Sequence, residues 1–194
     1  MPLAEALQVT LEVVRVLETL EIPYLLGGSL TSSLHGIPRT TQDADLVADL
    51  QLSHVAPLVE RLSGAFYIDD KRARDAIRRR ASFNLIHLAT MTKVDIFILK
   101  DDPLARREME RRQWIALPGG EGASLWVATA EDIVIQKLAW FVLGGEESER
   151  QWNDVQGVLK VQRGKLDLED LRRSAAEAGV EDLLERALSE AGGS

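Results

Sequence analysis

With 194 residues, 45% of them hydrophobic and 28% charged, the chain can fill the core of one ordinary globular domain with room for a helical appendage, and is neither fibrous nor disordered in composition. The absence of cysteine excludes disulfides and thiolate metal centres. A formal net charge of −8 argues against wholesale, unspecific coating of nucleic acid.

Residues 3–20 place Leu3, Leu7, Leu11, Val14 and Leu17 at helical spacing, an amphipathic first helix that Pro23 ends. Its acids Glu5, Glu12 and Glu18 do not suit a signal peptide, and no uncharged apolar run approaches the roughly 18 residues of a membrane span. The expectation is a soluble, cytoplasmic chain with no membrane partner. Tyr24-Leu25-Leu26 reads as a short buried strand entering Gly27-Gly28, followed by a helix from Ser29 to Leu34 with Gly36 as its stop. The polar, extended Arg39-Thr40-Thr41-Gln42 leads into a strand, Asp43-Ala44-Asp45-Leu46-Val47. Ser53 is placed to cap a helix over 54–63, closed by Gly64. Strands at 82–88 and 93–99 form a hairpin, and Asp102-Pro103 opens a helix as cap and first-turn proline. A second hairpin joins 114–117 to 125–127 through Pro118-Gly119-Gly120-Glu121-Gly122. Thr129 and Asp132 match a capping box opening a helix over 130–143, and further helices are expected near 149–160, 168–178 and 181–191. The expected class is α/β: a mixed-sheet core over residues 1–127, then a small α-helical C-terminal part over 128–194. The four tryptophans are expected in the core, and His35 and His87 as ordinary hydrogen-bonded residues rather than metal ligands.

Three features carry chemistry. On a strand, Asp43 and Asp45 lie on one face, roughly 6.6 Å apart along the chain, and two such carboxylates repel unless a cation such as Mg²⁺ lies between them. A strand ending in Gly27-Gly28, with Ser29 opening a helix, lets backbone approach an anion and presents free amides to phosphate. It is not a Walker loop, because no Lys-Ser/Thr follows the second glycine. Asp95 interrupts the apolar Val94-Asp95-Ile96-Phe97-Ile98, where an unpaired charge is costly. A third carboxylate on a strand neighbouring the first pair would complete a two-metal site. Separately, Lys71, Arg72, Arg74, Arg78, Arg79 and Arg80 form a basic block, either a solvated helix face or a seat for a polyanion such as RNA.

Taken in this order, Gly27-Gly28-Ser29, Arg39-x-Thr41-x-Asp43-x-Asp45 and Lys93-Val94-Asp95 resemble the polymerase-beta-like nucleotidyltransferases, most closely their small bacterial AbiEii-type and minimal nucleotidyltransferase branch. Glu131-Asp132-Ile133-Val134-Ile135-Gln136-Lys137-Leu138, followed by Arg150 and Asp154, is similar to that branch's helical signature. The resemblance implies a Mg²⁺-dependent enzyme, Mn²⁺ serving in its place, that moves a nucleoside monophosphate from an NTP to an acceptor hydroxyl and releases pyrophosphate. It implies that Asp43 and Asp45 bind both metals and that Asp95 holds the catalytic one and helps deprotonate the acceptor. Gly27, Gly28 and Ser29 would hold the triphosphate, with Arg39, Lys137, Arg150 and Asp154 completing the nucleotide-binding set. The acceptor would be RNA, a protein or a small molecule. An antitoxin-like partner belongs to the same branch, although the helical part is shorter than in full-length AbiEii-type toxins.

The main rival is a non-catalytic nucleotide-binding or toxin-antitoxin-type interaction module, disfavoured because an unused cluster of acids costs stability. A metal-dependent glycosyltransferase or a haloacid-dehalogenase-type phosphatase would place a hydrophobic strand before the Asp-x-Asp pair, where Arg39-Thr40-Thr41-Gln42 stands.

Overall fold

The computed structural model describes residues 5–117 and 122–192, so Leu3 and most of the expected turn at 118–121 lie outside it. The chain divides into two compact units, Met1–Leu30 with Thr40–Ala128, and Thr31–Arg39 with Thr129–Ser194. No helix among the described residues is long and apolar enough to cross a membrane.

The first unit holds α1 (Glu5–Thr19), β1 (Tyr24–Leu26), the start of α2 (Gly28–His35), β2 (Asp43–Ala48), α3 (Val55–Leu62) after a 3-10 turn at Leu52–His54, β3 (Phe66–Tyr67), α4 (Asp70–Arg79), β4 (Ser82–His87), β5 (Lys93–Ile98), α5 (Pro103–Arg111), β6 (Gln113–Ala116) and β7 (Ser124–Val127). Among the described residues the strands form one sheet in the order β3-β4-β5-β2-β1-β7-β6. It is mixed: β2/β5 and β1/β7 are parallel, the other neighbours antiparallel. The α/β class expected from sequence is the one observed.

Strand alternation explains where the core sits. Ala44, Leu46 and Ala48 of β2 and Val94, Ile96 and Ile98 of β5 are each at most 2% exposed, whereas the intervening residues are half-buried or exposed. The buried set makes one face of the sheet, and α1 packs on β2 and α3 with Val13, Val14 and Leu17 buried. Each such Leu, Ile or Val contributes roughly 1.5–3 kcal/mol by leaving water. A one-residue slip of β5 would exchange its two faces, so hydrophobic burial fixes the register. Beneath this layer the buried Tyr24 hydroxyl donates to Glu18 Oε1 at 2.7 Å; burial, reinforced by that carboxylate, pushes the phenol far above its ordinary pKa.

The second unit adds α6 (Ala130–Leu143), α7 (Glu149–Val161), α8 (Leu168–Ala178) and α9 (Glu181–Gly192), with α6 against α7 and α8, and α7 against α9. Side-chain caps set their starts: Thr129 accepts from the Asp132 amide, Ser148 from Gln151, and Asp167 from Glu169 and Asp170. Residues 31–39 join these helices through backbone contact. A Cβ on Gly36 would fall 2.7 Å from the Val158 nitrogen, and one on Gly157 would fall 3.2 Å from the Ile37 nitrogen. At Gly36 a side chain would push the backbone off α7, and at Gly157 the neighbour would have to give by a few tenths of an ångström.

Two expectations differ from what is observed. Between Gly64 and Ser82 the sequence reading offers a helix only as one of two readings of the basic block and no strand, yet β3 and α4 both stand there. The α4 apolar stripe is only Ala73, Ala76 and Ile77, a weak periodic signal among so many cations. The tryptophans are not core residues. Trp114 is 51% exposed and lies 5.2 Å from the half-buried Trp126, over which Arg112 sits at 4.6 Å. Trp152 likewise carries Arg186 on its face and donates from Nε1 to Glu190.

Candidate active site

The acids of the first unit owe their arrangement to strand register. Parallel pairing sets Asp43 beside Lys93 and Asp45 beside Asp95. Side chains two apart on a strand share a face, as do paired residues on neighbouring strands. Asp43, Asp45 and Asp95 therefore project together from the face opposite the core, Asp43 exposed and the other two half-buried. On the far side of Asp95, β4 presents Asn84 in register.

Like charges side by side in a sheet are destabilising. Lys93 offsets them, with Nζ 2.8 Å from Asp95 Oδ2. The hydrogen bond to Asp95 raises the lysine above its ordinary pKa against a smaller burial effect, and the charges of Asp95, Asp43 and Asp45 all add to the rise. Its ammonium thus lies in the field of the whole trio. Among the described residues no three His, Asp or Glu side chains are gathered as metal ligands, and the Asp95 carboxylate is engaged by Lys93. The donors are all carboxylate oxygens, the ligand type of a hard divalent cation such as Mg²⁺ or Mn²⁺. In chemistry the set fits such an ion, and the side chains would have to turn to hold it.

The glycine loop is bound to the same strand. The Gly27 amide donates to the Asp45 carbonyl at 2.8 Å. Gly28 opens α2 with φ +59°, and a Cβ there would fall 1.8 Å from Asp45 Oδ2, 2.6 Å from Cγ and 2.9 Å from Cβ. The half-buried Ser29 follows in the first turn, where amides lack intrahelical partners.

The remaining sequence candidates belong to the second unit. Arg39 grips Asp154 as a fork, Nε to Oδ1 at 2.7 Å and Nη2 to Oδ2 at 2.9 Å. Lys137, 1% exposed, brings Nζ to 2.8 Å from the same Oδ2, with the Trp140 ring 5.7 Å away. Arg150 is exposed on α7. The i,i+4 pairing of Arg150 with Asp154 that the sequence allows gives way to these two cations, which reach Asp154 from α6 and from the segment after α2. Burial pushes the Asp154 carboxyl up, but the hydrogen bonds from Arg39 and Lys137 outweigh it and hold the group below its ordinary range. A depressed folded pKa contributes stability above the unfolded value of about 3.9 and loses it as pH falls through the folded value. The stability gap between the wild type and Asp154→Asn should accordingly narrow between pH 7 and pH 3 in urea melts; a gap that widens would contradict the pairing.

The basic block is largely spent on its own helix. Arg72 lies 3.6 Å from Asp69, Arg74 2.9 Å from Asp70 and Arg79 3.1 Å from Asp75, while Arg80 donates to the Leu99 carbonyl. His87 packs at a tilt against the Phe66 ring and its Nδ1 lies 2.9 Å from Thr90 Oγ1, and His35 is buried. What sequence reasoning missed is Lys93. Its i,i+2 relation to Asp95 on a strand was the available signal.

No protein-family model matches the sequence, and no curated protein matches it. Solved structures do. A nucleotidyltransferase-like antigenic protein from Paracoccidioides brasiliensis superposes with a TM-score of 0.54 at 16% identity, over 97% of this chain and 95% of that one. The antibiotic-resistance factor ANT(2'')-Ia gives 0.55 at 15% identity, over 94% and 97%. A crystal structure of ANT(2'')-Ia in complex with adenylyl-2''-tobramycin gives 0.50 at 12% identity, over 88% and 96%. The fold of this chain is that of the nucleotidyltransferases.

Proposed function

We propose that the chain is a metal-dependent nucleotidyltransferase that moves a nucleoside monophosphate from an NTP to a hydroxyl of a small molecule. The observation that carries this reading is the register of β2 and β5, which aligns Asp45 with Asp95 and keeps Asp43 on their face, next to the Gly27-Gly28-Ser29 loop. Asp43, Asp45 and Asp95 would hold Mg²⁺ or Mn²⁺, which supplies charge neutralisation for an in-line displacement. The α2 amides opened by Gly28 and Ser29 receive the β- and γ-phosphates. Asp95 accepts the acceptor's hydroxyl proton as its oxygen bonds to the α-phosphorus. The bond from that phosphorus to the α,β-bridging oxygen breaks, and pyrophosphate leaves. By the sequence resemblance Arg39, Lys137, Arg150 and Asp154 also serve the nucleotide, and membership of the AbiEii-type branch, with its antitoxin-like partner, rests on that resemblance alone.

Two observations favour a small acceptor over RNA. Three cations of α4, Arg72, Arg74 and Arg79, are paired with acids on or next to their own helix. The like-folded ANT(2'')-Ia was solved with an adenylylated small molecule, tobramycin.

Thermal melting with each NTP and Mg²⁺, followed by label transfer from the NTP that binds, tests the reading. An NTP at a hundredfold its Kd contributes about 2.7 kcal/mol, a rise of roughly 5–10 °C for a chain of this size. Asp43→Asn should abolish the rise and leave the apo protein at least as stable, since it removes one of several crowded acids. No rise with any NTP, or marked destabilisation by Asp43→Asn, would defeat the reading; transfer of label to RNA but to no small hydroxyl compound would move the acceptor class.

A further inference from the structure

We propose that the Lys93 ammonium is the resident counter-ion of the Asp43–Asp45–Asp95 trio, and that a divalent cation enters only by displacing it. The inference rests on the metal-site reading above and concerns how that site is regulated. Lys93 leaves β5 on the same face as the acids, and its ammonium bonds Asp95 at 2.8 Å. The side chain is 41% exposed, so its stem can swing off Asp95 into solvent without opening the core. While it stays, Asp95 carries a cation already and a second charge must be added against it. Metal alone therefore binds weakly. A triphosphate changes the balance, because its oxygens give the displaced ammonium a new anionic partner. Metal and NTP should then bind synergistically, each tightening the other by the same factor. In this scheme Lys93 is a positioning residue that keeps the bare site charged-balanced and makes metal occupancy conditional on nucleotide.

Mn²⁺ binding to the full chain, read from the free Mn²⁺ signal in electron paramagnetic resonance, tests this without turnover. Lys93→Met should bind Mn²⁺ alone roughly tenfold more tightly than wild type and lose most of the synergy with NTP. Lys93→Arg, which keeps a cation, should stay within about twofold of wild type. Mn²⁺ affinity that is unchanged or weakened in Lys93→Met, while Asp95→Asn still abolishes binding, overturns the counter-ion role and leaves the metal site standing. Binding indifferent to both Asp43→Asn and Asp95→Asn overturns the metal reading and the inference with it.

Discussion

Gly28→Ala should remove nucleotide binding and destabilise the protein by roughly 2–4 kcal/mol. The backbone contribution comes from φ +59°, which alanine adopts only at a cost. The larger contribution is steric. The added methyl would fall 1.8 Å from Asp45 Oδ2, and rotating the carboxylate does not clear it, because Asp45 Cβ itself lies 2.9 Å from the same point. Either the loop lifts off β2, breaking the 2.8 Å bond from the Gly27 amide to the Asp45 carbonyl, or the strand shifts. Both outcomes separate the phosphate loop from the carboxylates. Chemical denaturation and NTP-induced melting shifts measure the two effects. A variant with wild-type stability and a wild-type melting shift would show that the close approach of Gly28 to Asp45 has no role.

Asp154→Asn and Lys137→Met should differ in size of effect although they touch the same contact. Removing the Asp154 charge leaves Lys137, 1% exposed, and Arg39 without their shared carboxylate, and breaking a buried pair in this way costs about 3–5 kcal/mol. Lys137→Met instead fills the same volume with an apolar chain and keeps the Arg39–Asp154 fork, so the expected loss is below about 1 kcal/mol. Urea midpoints of both variants at pH 7 decide the point. Equal losses would mean that Lys137 is held by far more than its carboxylate.

The strand and helix order was legible where periodicity and caps agreed. Tyr24–Leu26 and Leu168–Ala178 stand where the sequence places them, and Thr129 and Asp102 cap α6 and α5 as their spacing predicts. Helix α4 was legible only as one of two readings of the basic block, because its buried stripe is mostly alanine. The acids of the candidate site stood out as isolated charges on apolar strands, but their mutual register is a property of pairing across the sheet. The partners of Asp154 were hidden for the same reason: Arg39 lies 115 positions away, while the visible neighbour Arg150 sits one helical turn back. The tryptophans misled because a bulky aromatic reads as core, whereas here Trp126 and Trp152 are only half-buried and carry arginines on their faces.

The parallel pairing of β2 and β5 has a consequence for how the molecule comes to exist. Two parallel strands cannot be joined by a tight turn, so the chain between Asp45 and Asp95 runs out through α3, β3, α4 and β4 before returning. Closing a loop of about 50 residues costs roughly 3.5 kcal/mol of chain entropy before the pairing returns anything. Contacts this distant in sequence form late. A nascent chain emerging from the ribosome would hold the glycine loop and its first two acids well before the third is synthesised, and the three carboxylates would meet only when β5 docks beside β2, the central strand of the sheet.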